Sequence, residues 1–417
     1  MSRWGAPLRL VHKLVRTILL GSAMRAGAFF ALSGVAFALG NLLLARSMSV
    51  SEFGQLALEI SLLNLLLVMA PLGLDQALLR HKIDPGPQFL GLSVLNCTVL
   101  SAAAGAIAHH FYELPGPEAV LVSIAITAAG AGYVAAAGLR NHDREILAMV
   151  VITTTNAFLL MTGVLALFVS IRTSLPALAM VTVGNVLATI AGWVVLMKHY
   201  RVPPALRERV PWGEALSLLG VVAIGAVTIQ LERLMIPKAL SKDTLAVFSV
   251  LSSVAIFPFR IATLGTGFAL VPRLRSARDL ATRTGLIKQE LRSIFLMLAL
   301  ASVAVLAAAP TVADWVTAGR YDLGYMLVLA ACVSGCAKVI QTIPRVVVIA
   351  CGTRRAVAML NGLGWLGIIA SAIGGFVGSA WGLIGLMLGV ALGGFLVSLP
   401  MVLMATIAMR NFTGSKS

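Results

Sequence analysis

The sequence predicts an all-α integral membrane protein of about 12 transmembrane helices, in two pseudo-symmetric six-helix lobes with both termini cytoplasmic. Three observations carry this reading. Of the 417 residues, 59% are apolar and only 12% charged, more apolar surface than a soluble domain of this size can hide. Apolar stretches of the roughly 20 residues that a span requires recur along almost the whole chain. Lysine and arginine collect in every second loop, as they do on the cytoplasmic side of a bilayer.

The spans fall at about residues 26–45, 54–79, 89–108, 118–139, 146–170 and 175–197, then at 214–236, 244–270, 291–309, 323–351, 356–377 and 381–409. The organisation that follows has five parts: a cytoplasmic interfacial segment (1–25), an N-terminal lobe (26–197), a cytoplasmic linker (198–213), a C-terminal lobe (214–409) and a cytoplasmic tail (410–417). Residues 1–25 alternate Trp4, Leu8, Val11 and Leu14 with Arg9, Lys13 and Arg16, the pattern of an amphipathic helix lying on a membrane. A transmembrane barrel would show alternating segments of about ten residues, and these runs are twice that length.

The net charge of +16 raises the possibility of nucleic-acid binding, but its placement argues against it. With the N-terminus cytoplasmic, 23 of the 32 Lys and Arg residues fall in cytoplasmic segments. Five (Arg46, Arg172, Lys238, Lys242 and Arg320) fall in outer ones. Removing one span would scramble this alternation, so the bias supports the count and the orientation together.

A shift of 192 residues superposes Arg46–Gly54 on Lys238–Ala246. Without a gap, Leu72-Gly73 then falls on Leu264-Gly265 and Ala77-Leu78 on Ala269-Leu270. Each copy joins one span to the next through a short outer loop. Six spans per half is an even number, so both halves enter the membrane in the same direction, as parallel repeats do.

Ionisable side chains inside spans cost about 2.5–3.5 kcal/mol each on insertion scales and mark cavities or partners. The first half carries Glu59 and Asp75, both on span 2, and these are the candidates for ion coupling together with Glu232. Asp75 has Arg80 a turn and a half away as an alternative partner. The second half carries Arg233, beside Glu232 and able to pair with it, then Arg260, Lys338 and Arg345. Lys338, Gln341, Thr342 and Arg345 share a helix face, with Lys338 and Arg345 roughly 10 Å apart along the axis. Lys338 has no acid on its own helix, so it is expected to face a cavity. Pro344 and Pro258 stand close to Arg345 and Arg260, and proline frees carbonyls and kinks a span. A basic, hydrogen-bonding stripe suits an anion, and the planar fork of arginine suits phosphate. Arg260, Lys338, Gln341, Arg345 and Arg233 are therefore the candidate anion-binding residues.

No catalytic constellation stands out. His109, His110 and Glu113 read as a solvated face. Cys97, Cys332, Cys336 and Cys351 lie inside spans, and without His or carboxylate company they make a poor metal site. No cofactor, metal or enzymatic activity is expected.

Three stretches, SVSEFGQLALEISLLNLLLVMAPLGLDQALLRH, LERLMIPKALSKDTLAVFSVLSSVAIFPFRIATLGTGFALVPRL and the region from TAGRYDLGYMLVLA through GTRRAVAMLNGLGWLGIIASAIGGFVGSAWGLIGLMLG, resemble lipid-linked oligosaccharide flippases (Wzx-type polysaccharide exporters). Their order and spacing carry the likeness, since each motif is loose. The resemblance implies the multidrug/oligosaccharidyl-lipid/polysaccharide exporter superfamily, two six-helix lobes forming a V around a central cavity, and a bacterial inner-membrane location. It implies that a polyprenyl-diphosphate-linked oligosaccharide crosses from the cytoplasmic to the periplasmic leaflet for O-antigen, capsule or exopolysaccharide synthesis, coupled to H+ or Na+. A polysaccharide polymerase and a chain-length regulator are then the expected protein partners, with membrane lipids around them and no nucleic acid. Two other functions compete. A multidrug cation antiporter of the same fold would need an acid-dominated, aromatic-walled site, whereas aromatics are 6% of the chain and the deep charges are mostly basic. A membrane polymerase or ligase would need a large outer loop, and the outer loops are short.

Overall fold

The structure is a computed structural model that describes residues 22–199, 212–260, 270, 273–274, 276–277 and 279–411. The amphipathic segment before residue 22, most of the 198–213 linker and the second-copy residues Leu264, Gly265 and Ala269 lie outside the described residues. Among the described residues, all regular structure is helical. The first half comprises α1 (Ser22–Ser47), α2 (Val50–Met69), the short α3 (Leu74–His81), α4 (Pro87–Tyr112), α5 (Gly116–Asn141), α6 (Glu145–Leu165) and α7 (Ser174–His199). The second comprises α8 (Trp212–Ala239), α9 (Lys242–Leu251), a π turn (Ser252–Ile256), α10 (Leu280–Thr317), α11 (Tyr325–Cys351), α12 (Arg354–Gly378) and α13 (Gly382–Asn411).

Eleven helical stretches are long and apolar enough to cross a membrane, and the last of them, Arg355–Arg410, holds both α12 and α13. These two fold back on each other through glycine. A Cβ on Gly374 would strike the Gly389 carbonyl, one on Gly378 the Gly385 carbonyl, and one on Gly393 the Ala370 carbonyl. Glycines at four-residue spacing let helix backbones approach where lipid supplies no hydrophobic drive. The solvent is written in the burial pattern: Glu232 is 0% and Arg233 1% exposed, while Val303 is 68% and Phe376 69% exposed. Charges inside and large apolar side chains outside invert the soluble arrangement, and the protein is a multi-pass membrane protein.

Within the first half, α1 packs on α6, α5 on α4 and α7, and α6 on α7; within the second, α11 and α12 pack on α13, and α8 on α12. The halves meet where α2 lies against α8 and α9, and where α1 lies against the π turn and α10. The 192-residue shift holds to the residue at this seam. Ser47 ends α1 and Ala239 ends α8, and the next helices begin at Val50 and Lys242. Ser49 caps α2 by accepting from the Glu52 N–H (3.3 Å), and Ser241 caps α9 by accepting from the Thr244 N–H (3.0 Å). Gly54 and its shifted counterpart Ala246 touch: a Cβ on Gly54 would sit 3.6 Å from the Ala246 Cβ and would strike the Lys242 carbonyl. Equivalent residues in mutual contact are what an axis relating two halves requires.

Two expected spans differ in extent. Span 2 is broken: α2 stops at Met69 and the chain turns through Leu72 (φ 54°) and Gly73 (φ 77°) before α3. Pro71 has no N–H to continue the ladder. Gly73 serves for two reasons, its left-handed backbone and the Ala215 carbonyl of α8, which leaves no room for a Cβ. Span 9 is longer than 291–309. At 38 residues α10 runs roughly 57 Å, nearly twice the hydrocarbon thickness. Its start is polar and capped, with the Asp279 carboxylate accepting from the Thr282 N–H and hydroxyl, both at 2.7 Å. Arg283, 2% exposed, donates to the carbonyls of Ala277 and Met409, tying this end to the end of α13.

Candidate functional site

The deep charges of the second half gather where α8, the π turn and α11 meet. Glu232 and Arg233 are neighbours on α8, so they point to different sides of the helix. Arg233 turns toward the first half, its guanidinium 5.7 Å from the centre of the Phe37 ring on α1, and donates to Ser252 Oγ at 3.1 Å. Its Nε has no partner. The pairing with Glu232 that adjacency made available to Arg233 does not form.

Glu232 instead faces α11. Lys338 Nζ donates to both of its oxygens, at 2.6 and 2.7 Å, and Ser334 Oγ donates to Oε1 at 3.2 Å. Lys338, expected to face a cavity because its own helix offers no acid, finds one on a neighbouring helix as well. A half-buried Arg260, in the helical turn after the π turn, lies within electrostatic reach of Glu232, Arg233 and Lys338. Three cations and one carboxylate leave this cluster with a surplus of two positive charges.

The backbone around the cluster is irregular. Pro258 cannot donate to the helical ladder, and the turn before it is wound as π, with the Phe257 N–H reaching Ser252 O. Single π turns of this kind recur at functional sites. On α11, Thr342 Oγ1 donates to the Lys338 carbonyl at 3.0 Å, so of the sequence-predicted stripe Thr342 serves its own helix.

Lys338, Gln341 and Arg345 line one cavity with Thr228, Ser371 and Ser398. The lining helices are α8, α11, α12 and α13, so this cavity lies inside the second half. Its volume is about 20 Å³, room for about one water. Arg345 makes no hydrogen bond or ion pair among the described residues. A polar track therefore runs from Arg233 at the seam, through Glu232 and Lys338, to Arg345.

The acids of the first half stand apart from this track. Glu59 is 0% exposed on α2 and neither oxygen is hydrogen bonded. Gln55, one turn earlier, donates its amide to Ser174 Oγ at 3.2 Å. Asp75 is on α3; its Oδ2 accepts from Gln76 at 2.7 Å and its Oδ1 has no partner. The alternative partner, Arg80, is engaged elsewhere, with its Nε 2.7 Å from Glu214 Oε1 while His81 Nε2 lies 2.6 Å from Glu214 Oε2. These contacts bridge the halves at the Glu214 end. At the Ser49/Ser241 end, Lys238 reaches Glu113 (3.2 Å), Tyr112 OH donates to the Leu234 carbonyl (3.1 Å) and Arg320 donates to the Met48 carbonyl (2.6 Å). Glu113 is exposed, as its reading as part of a solvated face expects, and pairs with Lys238 at the surface.

Sequence reasoning missed Ser334, although 334, 338, 341 and 345 fall on one helical face and the spacing could have included it. Ser252 and Phe37 gave no such signal, because their roles depend on the π turn and on how the halves meet. The four cysteines are free thiols, and no group of three metal ligands occurs among the described residues.

Solved structures share the fold. An inward-facing multidrug resistance MATE family transporter of the MOP superfamily superposes with a TM-score of 0.63 at 13% identity, covering 98% of this chain and 99% of that one. The lipid II flippase MurJ in an inward closed conformation gives 0.68 at 11% identity, covering 93% and 88%. The Vibrio cholerae MATE transporter VcmN in the bent form gives 0.55 at 14%, covering 96% and 98%. No curated protein sequence matches the chain. A family model described as "Polysaccharide biosynthesis protein" matches residues 43–321, well over half the chain and including the seam, Glu59, Asp75, Glu232, Arg233 and Arg260. The chain belongs to the polysaccharide biosynthesis protein family.

Proposed function

We propose that the protein is a flippase that moves a polyprenyl-diphosphate-linked oligosaccharide from the cytoplasmic to the periplasmic leaflet of the bacterial inner membrane, for O-antigen, capsule or exopolysaccharide synthesis. The observation that carries this reading is the cationic surplus at membrane depth: Arg233, Arg260 and Lys338 against one carboxylate, continued by Arg345, which has no ion-pair partner among the described residues. Such charges are costly in a bilayer, and an anionic headgroup would offset them. Family membership supports a polysaccharide precursor as the cargo, and the neighbours' fold supports transport rather than catalysis.

The charge distribution supports termini in the cytoplasm, the Ser49/Ser241 end facing the periplasm and the Glu214 end facing the cytoplasm. Contacts bridge the halves at both ends, so loading requires the halves to part. Breaking the Arg80/His81–Glu214 contacts would admit cargo from the cytoplasm, and breaking the Lys238–Glu113 contacts would release it outside. Glu59 and Asp75, each with an unpartnered buried oxygen, are the groups we assign to coupling with H+ or Na+. A polymerase and a chain-length regulator are the protein partners this role implies. A cation antiporter is disfavoured by the basic character of the track.

Arg345→Gln is the cleanest test, because among the described residues Arg345 holds no partner whose loss would confound it. Expression in cells that lack the chromosomal copy should give normal membrane insertion with surface polysaccharide reduced at least about tenfold, roughly 1.4 kcal/mol. Normal export would contradict the anion role.

A further inference from the structure

Lys338 serves two neighbours at once. Its ammonium holds both oxygens of Glu232, while its side chain lines the cavity shared with Gln341 and Arg345. Glu232 does not line that cavity. An anion reaching Lys338 from the cavity must therefore compete with a carboxylate already in place. The surrounding cations remain incompletely neutralised, and Arg233, 1% exposed, keeps an unpartnered Nε.

Resting on the flippase reading, we propose that Glu232 is a resident counter-anion: it occupies Lys338 in the unloaded protein and is displaced by the diphosphate of the cargo. The physical logic follows from transport. A carrier must bind strongly enough to load and weakly enough to release, a constraint shared with channels. An unopposed cluster of Lys338, Arg233, Arg260 and Arg345 would hold a diphosphate tightly in a low-dielectric setting. An internal carboxylate weakens that grip by the free energy of the ion pair that must be exchanged. It also keeps Lys338 from standing unpaired between cycles. Ser334, which donates to Glu232 Oε1, can hold the released carboxylate without a large movement of α8. The ligand class is a phosphorylated headgroup carrying at least two negative charges, the number by which Arg233, Arg260 and Lys338 exceed Glu232.

The test uses the full-length protein in lipid nanodiscs, with farnesyl diphosphate and inorganic pyrophosphate as probes and farnesol and empty nanodiscs as controls. Wild-type protein should bind farnesyl diphosphate measurably, and Glu232→Gln should bind it at least about tenfold more tightly. Arg345→Gln should bind it more weakly, which reports the anion site independently. Glu232→Asp, which keeps the charge but draws it back from Lys338, should tighten binding by a smaller factor and decides the matter if Glu232→Gln does not fold. Tightening seen with pyrophosphate as well places recognition in the headgroup; tightening only with farnesyl diphosphate shows that the lipid is needed to present it. If wild type binds and Arg345→Gln is weakened, but both Glu232 variants bind no more tightly, the counter-anion role is overturned while the anion site stands. If no form binds either probe above the controls, both fall.

Discussion

Lys338 on α11 and Glu232 on α8 meet with both carboxylate oxygens within 2.7 Å of one ammonium, although α11 carries no acid of its own. Glu232 is buried and Lys338 partly so, with side-chain exposures of 1% and 19%. Removing one partner of such a pair costs about 3–5 kcal/mol, because the other charge is left unpaired. Glu232→Gln or Lys338→Gln alone should lower unfolding stability in detergent by about that much, and the double substitution should recover most of the loss. Additive losses would show that the two side chains do not depend on each other.

The seam makes a paired prediction. Ser49 and Ser241 are related by the 192-residue shift and accept the same bond, from the N–H three residues on. Losing a serine N-cap costs about 1 kcal/mol. Ser49→Ala and Ser241→Ala should each cost about that, and by similar amounts, in denaturant unfolding. A loss confined to one site would mean that the matched geometry is not matched in energy.

Much of this fold was legible from residue chemistry. The helices followed from apolar run length, and the seam from Arg46–Gly54 falling on Lys238–Ala246. What misled was distance along the chain. Asp75 and Arg80, or Glu232 and Arg233, look like partners because they are close in sequence. The partners that Arg80 and Glu232 take instead, Glu214 and Lys338, were chosen by which helix face each side chain occupies and which helix lies beside it. The stripe on α11 was readable, and so were the glycines at four-residue spacing in α12 and α13, but that spacing does not say which helices cover the stripe. The break in span 2 was signalled by Pro71 and Gly73, which the hydropathy outweighed.

Outside the membrane, Asp279 offers a pH test. Two donors from Thr282 favour its charged form, and they hold its pKa below the ordinary value of 3.8. For a carboxylate lowered in the folded state, the stabilisation is present above the unfolded value and disappears as pH falls through the folded one. The stability gap between wild type and Asp279→Ala should stay constant from about pH 5 to 8 and shrink below about pH 3.8. A gap that instead grows on acidification would contradict the cap.

At the Glu214 end, one carboxylate receives both Arg80 and His81 across the two halves. These groups are partly exposed, and the effect on global stability should be small. Local opening should change more. Glu214→Gln should raise hydrogen exchange in Leu74–His81 and in the first turns of α8, while the Lys238–Glu113 end is unaffected. Unchanged exchange at both ends would mean that these contacts do not hold the halves together.

The central claim is that a cationic track at membrane depth carries a diphosphate-linked glycan across the bilayer. Its most direct measurement is transbilayer movement of a fluorescent polyprenyl-diphosphate oligosaccharide in proteoliposomes, read by the fraction accessible to an external quencher. The account predicts protein-dependent movement that Arg345→Gln slows at least about tenfold, with a polyprenol lacking phosphate not carried. Equal rates with and without protein, or movement indifferent to Arg345, would contradict it.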